Sequence, residues 1–192
     1  MTRHCRMIAA ALFLAACADT PTAAREGARP PGARATLTQT VWTIFTTQTP
    51  ASTLDATGGW EVGTRFYTDT PGCVVGVRFW RAVGETGSHR VNLWTNSGTR
   101  LGTIVFTPTG SGWKEAYFGG PVCLDTLTYY RVSVNTNTKQ VKTFGAFDSG
   151  PIVNGPLTGN LGYYGQPTGS MPTTSTGSNF FVDPIFDTSI SY

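Results

Sequence analysis

The chain holds two histidines, and only His89 lies beyond its leader-like N-terminus, so acid–base chemistry in the remainder has one imidazole to draw on. Nucleophilic catalysis needs an activated Ser or Cys beside such a base. His89 sits in Thr86-Gly-Ser-His89, a loop in which the ring is read as tying the turn together through hydrogen bonds. The sequence contains no Gly-x-Ser-x-Gly elbow, no His-Glu-x-x-His and no phosphate-binding glycine loop. Glu61, Asp69, Asp148 and Asp183 are the acids nearest to strand-like segments, but no spacing brings two of them together as a glycosidase pair. The chain is therefore read as non-catalytic, with an enzyme of undescribed type as an outlying alternative.

The aromatics offer a second kind of chemistry. Trp42, Trp60, Trp80, Trp94 and Trp113, with Tyr163-Tyr164, can stack on the apolar faces of sugar rings or close a hydrophobic core. Trp80 and Trp94 are the preferred ligand-binding candidates. Each alternates with an aliphatic stripe, Val75/Val77/Phe79 in Cys73–Arg81 and Val91/Leu93 in Arg90–Thr95, and so belongs to the wetter face of its strand. Arg78 and Asn92 share those faces and would bond ligand hydroxyls. Trp113, at a strand start after Ser-Gly, is read as structural.

The elements that must position these residues are strands. Candidates are Val41–Thr46, Glu61–Tyr67, Cys73–Arg81, Arg90–Thr95, Leu101–Thr107, Trp113–Phe118, Thr128–Asn135, Thr143–Phe147, Leu161–Gly165 and Asn179–Phe186. Turn formers such as Asp69-Thr-Pro-Gly72, Asn96-Ser-Gly98 and Pro167-Thr-Gly169 separate them. About ten short strands, 23 Gly and 12 Pro predict an all-β, two-sheet sandwich, a jelly roll, over 41–192. From Trp42 onward nine Lys/Arg balance nine Asp/Glu, so the net +3 of the whole chain comes from the N-terminus. No basic stripe for nucleic acid is left, and the domain is expected to be a monomer.

Residues 1–17 read as a signal peptide: Met1 to Arg6 is short and positive, and Met7 to Ala16 is an apolar run too short to span a bilayer. The ending Leu14-Ala-Ala-Cys17 resembles a bacterial lipobox, making Cys17 the lipidation candidate. Ala18, with no Asp in that place, implies the outer membrane by resemblance to Gram-negative lipoproteins. Cleavage after Ala18, with secretion, is the alternative. Residues 18–40, rich in Pro, Gly and Ala, read as a disordered tether with a reach of roughly 25–30 Å. With Cys5 in the leader and Cys17 assigned to lipid, Cys73 and Cys123 remain for one disulfide in an exported domain, or for two buried thiols.

Glu61-Val-Gly-Thr-Arg-Phe66, Gly76-Val-Arg-Phe-Trp80, Thr86-Gly-Ser-His89, Asn92-Leu-Trp94 and Ser111-Gly-Trp113 together resemble the module called domain of unknown function 4082. So do Pro121-Val122, Tyr129-Tyr130, Gly155-Pro-Leu157, Met171-Pro172 and Asn179-Phe-Phe-Val-Asp-Pro-Ile-Phe186. The resemblance covers Trp42 to Asp187. It implies an exported bacterial surface module and brings no established activity. The chain departs from the pattern at Trp80, at Phe181 and in its cysteine pair. Jelly-roll carbohydrate modules commonly hold a structural calcium ion between first and last strands, which makes Glu61 and Asp183 its candidate ligands here; an ion pair of either acid with Arg65 or Arg78 is the alternative. The function expected is a lipid-anchored, exported or outer-membrane module binding a glycan or another cell-envelope component. A structural or adhesive protein-interaction module is the second reading.

Overall fold

The computed structural model describes residues 39–192. The segments assigned to signal peptide, lipidated Cys17 and most of the tether lie outside the described residues. Thirteen strands and no helix occur among those residues. They are β1 (Val41–Trp42), β2 (Ser52–Asp55), β3 (Trp60–Thr68), β4 (Gly72–Arg81), β5 (His89–Thr95), β6 (Arg100–Phe106) and β7 (Gly112–Leu124). The rest are β8 (Tyr130–Thr136), β9 (Lys139–Lys142), β10 (Ile152–Asn154), β11 (Leu157–Gly165), β12 (Thr174–Thr176) and β13 (Val182–Asp187).

One sheet runs β1-β13-β4-β7 and the other β10-β11-β3-β8-β5-β6, with β12 added on β11 and β2 paired separately with β9. Every pairing is antiparallel. The chain crosses between these two sheets at β3–β4, β4–β5, β6–β7, β7–β8 and β12–β13, while β5–β6 and β10–β11–β12 stay within the larger one. The predicted all-β sandwich is therefore observed.

Strand alternation explains the core. Val62 and Phe66 of β3, Val91 and Leu93 of β5, Val132 and Val134 of β8, and Val74, Val77 and Phe79 of β4 meet between the sheets. The β4 stripe differs from the sequence reading at one place. The register shifts between Val74 and Gly76 against both β7 and β13, so Val74 is buried with Val77 and Phe79, while Val75 is only partly buried. A bulge adds one residue and exchanges the faces on either side of it.

Several expected strand limits also move. Val41–Thr46 keeps only two strand residues, because the chain after Trp42 turns back over the smaller sheet. Thr143–Phe147 is not a strand: Lys139–Lys142 pairs with β2 instead, and Gly145 opens a turn at φ 66°. Asn179–Phe186 begins its strand only at Val182, because Phe181 is left-handed at φ 57°. That conformation is costly for phenylalanine and is held by its surroundings. Phe181 N–H donates to Asn179 Oδ1 at 2.7 Å, and Phe181 C=O accepts from Trp80 N–H at 3.0 Å. The turn sends Phe180 into the main core and Phe181 into a second cluster with Ala82 and Val141.

The cysteines are settled. Cys73 of β4 and Cys123 of β7 are register partners joined by a disulfide across 50 residues of sequence.

Candidate functional site

The sequence-predicted ligand residues split between two opposite faces of the sandwich. Asn92 and Trp94 alternate with core residues Val91 and Leu93, and so stand on the outer face of the larger sheet with Glu61, Arg131 and Ser133. That face is not wet. Residues 166–173 cross it: Gly169 N–H donates to Glu61 Oε2 at 2.8 Å, Arg131 Nη1 donates to Pro172 C=O at 2.9 Å, and Arg100 bonds Gly169 C=O. Beneath this cover Glu61 Oε1 accepts from Asn92 Nδ2 at 2.9 Å and from Ser133 Oγ at 2.5 Å. Asn92 Oδ1 accepts from Thr103 Oγ1, and Trp94 Nε1 donates to Ser133 Oγ. Burial pushes the Glu61 carboxyl up despite the donors that surround it.

Trp94 is 4% exposed and carries the Arg100 guanidinium on its ring at 4.6 Å; Asn92 is fully buried. Neither can meet a ligand from solvent as expected from the alternation. The physical reason is the covering loop, whose residues lie far along the chain from β5. Glu61 holds that loop through Gly169, and the side-chain hydrogen bonds of Asn92 are spent on Glu61 and Thr103.

Arg78, Trp80 and Asp183 occupy the outer face of the smaller sheet. Asp183 pairs in register with Arg78 and receives its Nη2 at 2.8 Å and Nε at 3.0 Å. It also accepts from Ile44 N–H at 2.7 Å and Phe45 N–H at 3.0 Å, while Arg78 bonds Phe45 C=O. Asp183 thus clamps the segment after β1 over this sheet, and burial pushes its carboxyl up to about 6 against the pull of Arg78 and the two N–H groups. Arg78 stacks on Trp113 at 4.1 Å, and Trp80 is packed edge-on to Trp113 and Phe181. These aromatics form a structural cluster around Phe45.

Glu61 and Asp183 therefore stand on opposite outer faces and do not converge on one cation. Among the described residues no group of three or more His, Cys, Asp or Glu is arranged to hold a metal. His89 lies in the core against Phe79 at 4.8 Å, with Nδ1 2.9 Å from Asn135 C=O. Its burial pulls its pKa down and favours the neutral ring. Glu85 is likewise committed, accepting from Asn137 and Thr138 N–H at 2.6 and 2.9 Å.

The arrangement best able to receive a ligand is elsewhere, at the end of the sandwich where β3, β9 and β11 meet. Trp60, Gln140, Lys142, Tyr164 and Phe180 line an open cleft of about 250 Å³. Strand geometry assembles it. Tyr164 pairs with Val62, and Trp60 lies two residues before Val62 on the same face, so the two rings are diagonal neighbours, 6.0 Å apart. Phe180 continues the aromatic wall 6.1 Å from Tyr164. Gln140 and Lys142 are two apart on β9 and share a face. Gln140 Oε1 is buried without a hydrogen-bond partner, and Lys142 Nζ lies over the Phe180 and Phe144 rings. Trp60 and Tyr164 were among the aromatics singled out from sequence. Gln140 was not, because nothing in Lys139-Gln-Val-Lys142 distinguishes it before β9 is seen beside β3 and β11.

Two antiparallel sheets define an all-β sandwich module, and the aromatic cleft opens at one end of it. A family model described as domain of unknown function (DUF4082) matches residues 46–182, and the chain belongs to that family. No curated protein sequence matches it. Among solved structures it is similar to the clostridial cysteine protease Cwp84 after propeptide cleavage, at 13% identity and a TM-score of 0.54, over 77% of this chain and 40% of that one. At that identity the likeness speaks for the fold alone.

Proposed function

We propose that this protein is a non-catalytic, lipid-anchored surface module whose sandwich binds an envelope glycan in the Trp60–Tyr164–Phe180 cleft. The observation that carries the reading is the cleft itself: three aromatic rings beside Gln140, whose Oε1 has no hydrogen-bond partner, and Lys142, whose ammonium has no carboxylate within 4 Å among the described residues. Sugar rings present apolar C–H faces to such walls and hydroxyls to such groups. The non-catalytic part is supported by the state of the reactive groups. His89 is buried in the core, and Cys73 and Cys123 are bonded to each other, so neither sulfur is a nucleophile of the kind a cysteine protease uses.

Glycan-array binding and retention on insoluble polysaccharides test the site. Trp60→Ala and Tyr164→Ala, each confirmed folded by its melting transition, are expected to weaken binding at least about thirtyfold, the effect of losing a central aromatic anchor. Trp80→Ala, whose ring packs on Trp113 and Phe181 and does not line the cleft, is expected to bind as wild type does. Loss of binding in Trp80→Ala with retention in Trp60→Ala would return the site to the residues first read from sequence.

The anchor rests on Leu14-Ala-Ala-Cys17. Wild-type protein is expected in the detergent phase, with a diacylglyceryl mass on an N-terminal peptide beginning at Cys17, because several acyl chains inserted together hold a protein firmly. Cys17→Ser is expected to lose both the mass and the membrane association. A free N-terminus at Asp19 in the wild type would show ordinary secretion instead.

A further inference from the structure

We propose that the cleft selects an acidic sugar, a pyranose bearing a carboxylate, with the carboxylate at Lys142 and a hydroxyl or amide donor at Gln140. The inference rests on the glycan reading of the same cleft and adds the charge of the ligand.

Three observations carry it. Lys142 has no carboxylate within 4 Å among the described residues; its ammonium faces the Phe144 ring at 4.3 Å and the Phe180 ring at 5.2 Å. A neutral sugar laid on this wall would cover the ammonium and strip its water without supplying a counter-charge. A carboxylate supplies one through a charge-assisted hydrogen bond in a partly desolvated place. The second observation is Gln140 Oε1, buried and unpartnered. An acceptor in that state destabilises the empty protein and gains when the side chain turns toward the cleft and a ligand brings a donor. The third is their spacing. Two positions on one strand face lie about 7 Å apart, comparable to the breadth of one pyranose ring, so a single sugar unit can meet both while its apolar face rests on Trp60 and Tyr164. The cleft volume, about 250 Å³, suits one such unit, with the remainder of the chain leaving by the open side.

The ligand chemistry is specific as to charge carrier. Along a polyuronate every unit repeats a carboxylate on a flat, stackable ring, whereas a phosphodiester polymer places its charge between units, away from the stacking face.

The test uses the intact protein, isothermal titration, and two probes of one length and linkage: an α-1,4-linked oligogalacturonate and its carboxyl-reduced, neutral counterpart. The uronate is expected to bind at least about tenfold more tightly at low salt, with the gap narrowing as salt rises. Lys142→Met is expected to abolish the gap, its loss of affinity falling mainly on the uronate, and Lys142→Arg to keep most of it. Gln140→Leu gives a readout that a merely structural residue would not: a higher melting temperature together with weaker binding of both probes. Equal affinity of the wild type for the two probes, or a gap that persists in Lys142→Met, would overturn the inference and leave the glycan reading standing. Tight binding of neither probe, with binding of neutral envelope glycans of other linkage, would overturn it equally. Failure of every glycan would overturn both.

Discussion

Arg78→Ala is expected to destabilise the domain by about 3–5 kcal/mol at pH 7, the cost of leaving one charge of a buried pair without its partner. Asp183 is fully buried, and Arg78 provides its only cationic contact among the ion pairs of the described residues. The same substitution removes the stack on Trp113 and the bond to Phe45 C=O, so the segment after β1 loses part of its hold on the smaller sheet. The pH dependence separates charge from packing. Burial raises Asp183 to about 6 in the folded protein from 3.8. The folded state therefore binds the proton more tightly than the unfolded chain, and stability from this group is fully present below pH 3.8 and lost as pH rises through 6. Its size is about 3 kcal/mol, from a shift of about two pKa units at 1.36 kcal/mol each. Without Arg78 the carboxyl rises further. The penalty of Arg78→Ala is therefore expected to be largest at pH 7 and to shrink toward pH 4, where only lost packing and hydrogen bonds remain. A penalty that stays constant from pH 7 to pH 4 in denaturant titrations would show that Asp183 is not the group responsible.

Removing the disulfide is expected to cost about 4 kcal/mol, the chain-entropy value for a closed loop of 50 residues. For a domain of this size that lowers the melting temperature by about 8–16 °C. The loop contains all of β5 and β6, so the link confines, in the unfolded chain, two strands of the larger sheet between two strands of the smaller one. Cys73→Ala/Cys123→Ala and reduced wild type should show the same lowered transition. Both thiols free to alkylation in protein from an oxidising compartment, or an unchanged melting temperature, would contradict the pairing.

These two links join residues whose neighbours could be read in advance to different extents. Cys73 and Cys123 announced themselves by elimination and by their places beside turn formers, and the alternation of Val77 and Phe79 against Arg78 and Trp80 identified β4 before its partners were known. Such patterns report which way one strand's side chains point. They do not report what lies over that face. Asn92 and Trp94 alternate correctly with Val91 and Leu93, yet both are buried, because a Gly/Pro-rich loop some seventy residues later crosses them and is held by Glu61 and Arg131. Nothing in the spacing of β5 encodes that loop. The bulge at Val75 and the left-handed Phe181 were equally invisible, since each is imposed by the strands on either side.

The cleft shows the same limit more strongly. It joins Trp60 at the start of β3, Gln140 and Lys142 on β9, Tyr164 near the end of β11, and Phe180 ahead of β13. Gln140 and Lys142 are unremarkable in their own segment. Three of the positions carried a usable signal: Trp60 after Gly58-Gly59, the Tyr163-Tyr164 doublet, and the Phe180-Phe181 doublet, all large aromatics at strand boundaries where a sheet ends. Adjacent aromatics in an alternating strand must face opposite ways, and the structure bears this out in part: Tyr164 lines the cleft and Tyr163 lies beneath the Arg131 guanidinium on the outer face.

The most direct test of the central claim is a two-dimensional NMR titration of the isotopically labelled protein, following the Trp60 indole N–H and the Gln140 side-chain amide as oligogalacturonate is added. The account predicts saturable shifts at both groups and at the backbone amides of Lys142, Tyr164 and Phe180, with the Trp80 and Trp94 indoles unmoved. Saturable shifts at the Trp80 indole, with Trp60 and Gln140 unmoved, would contradict it.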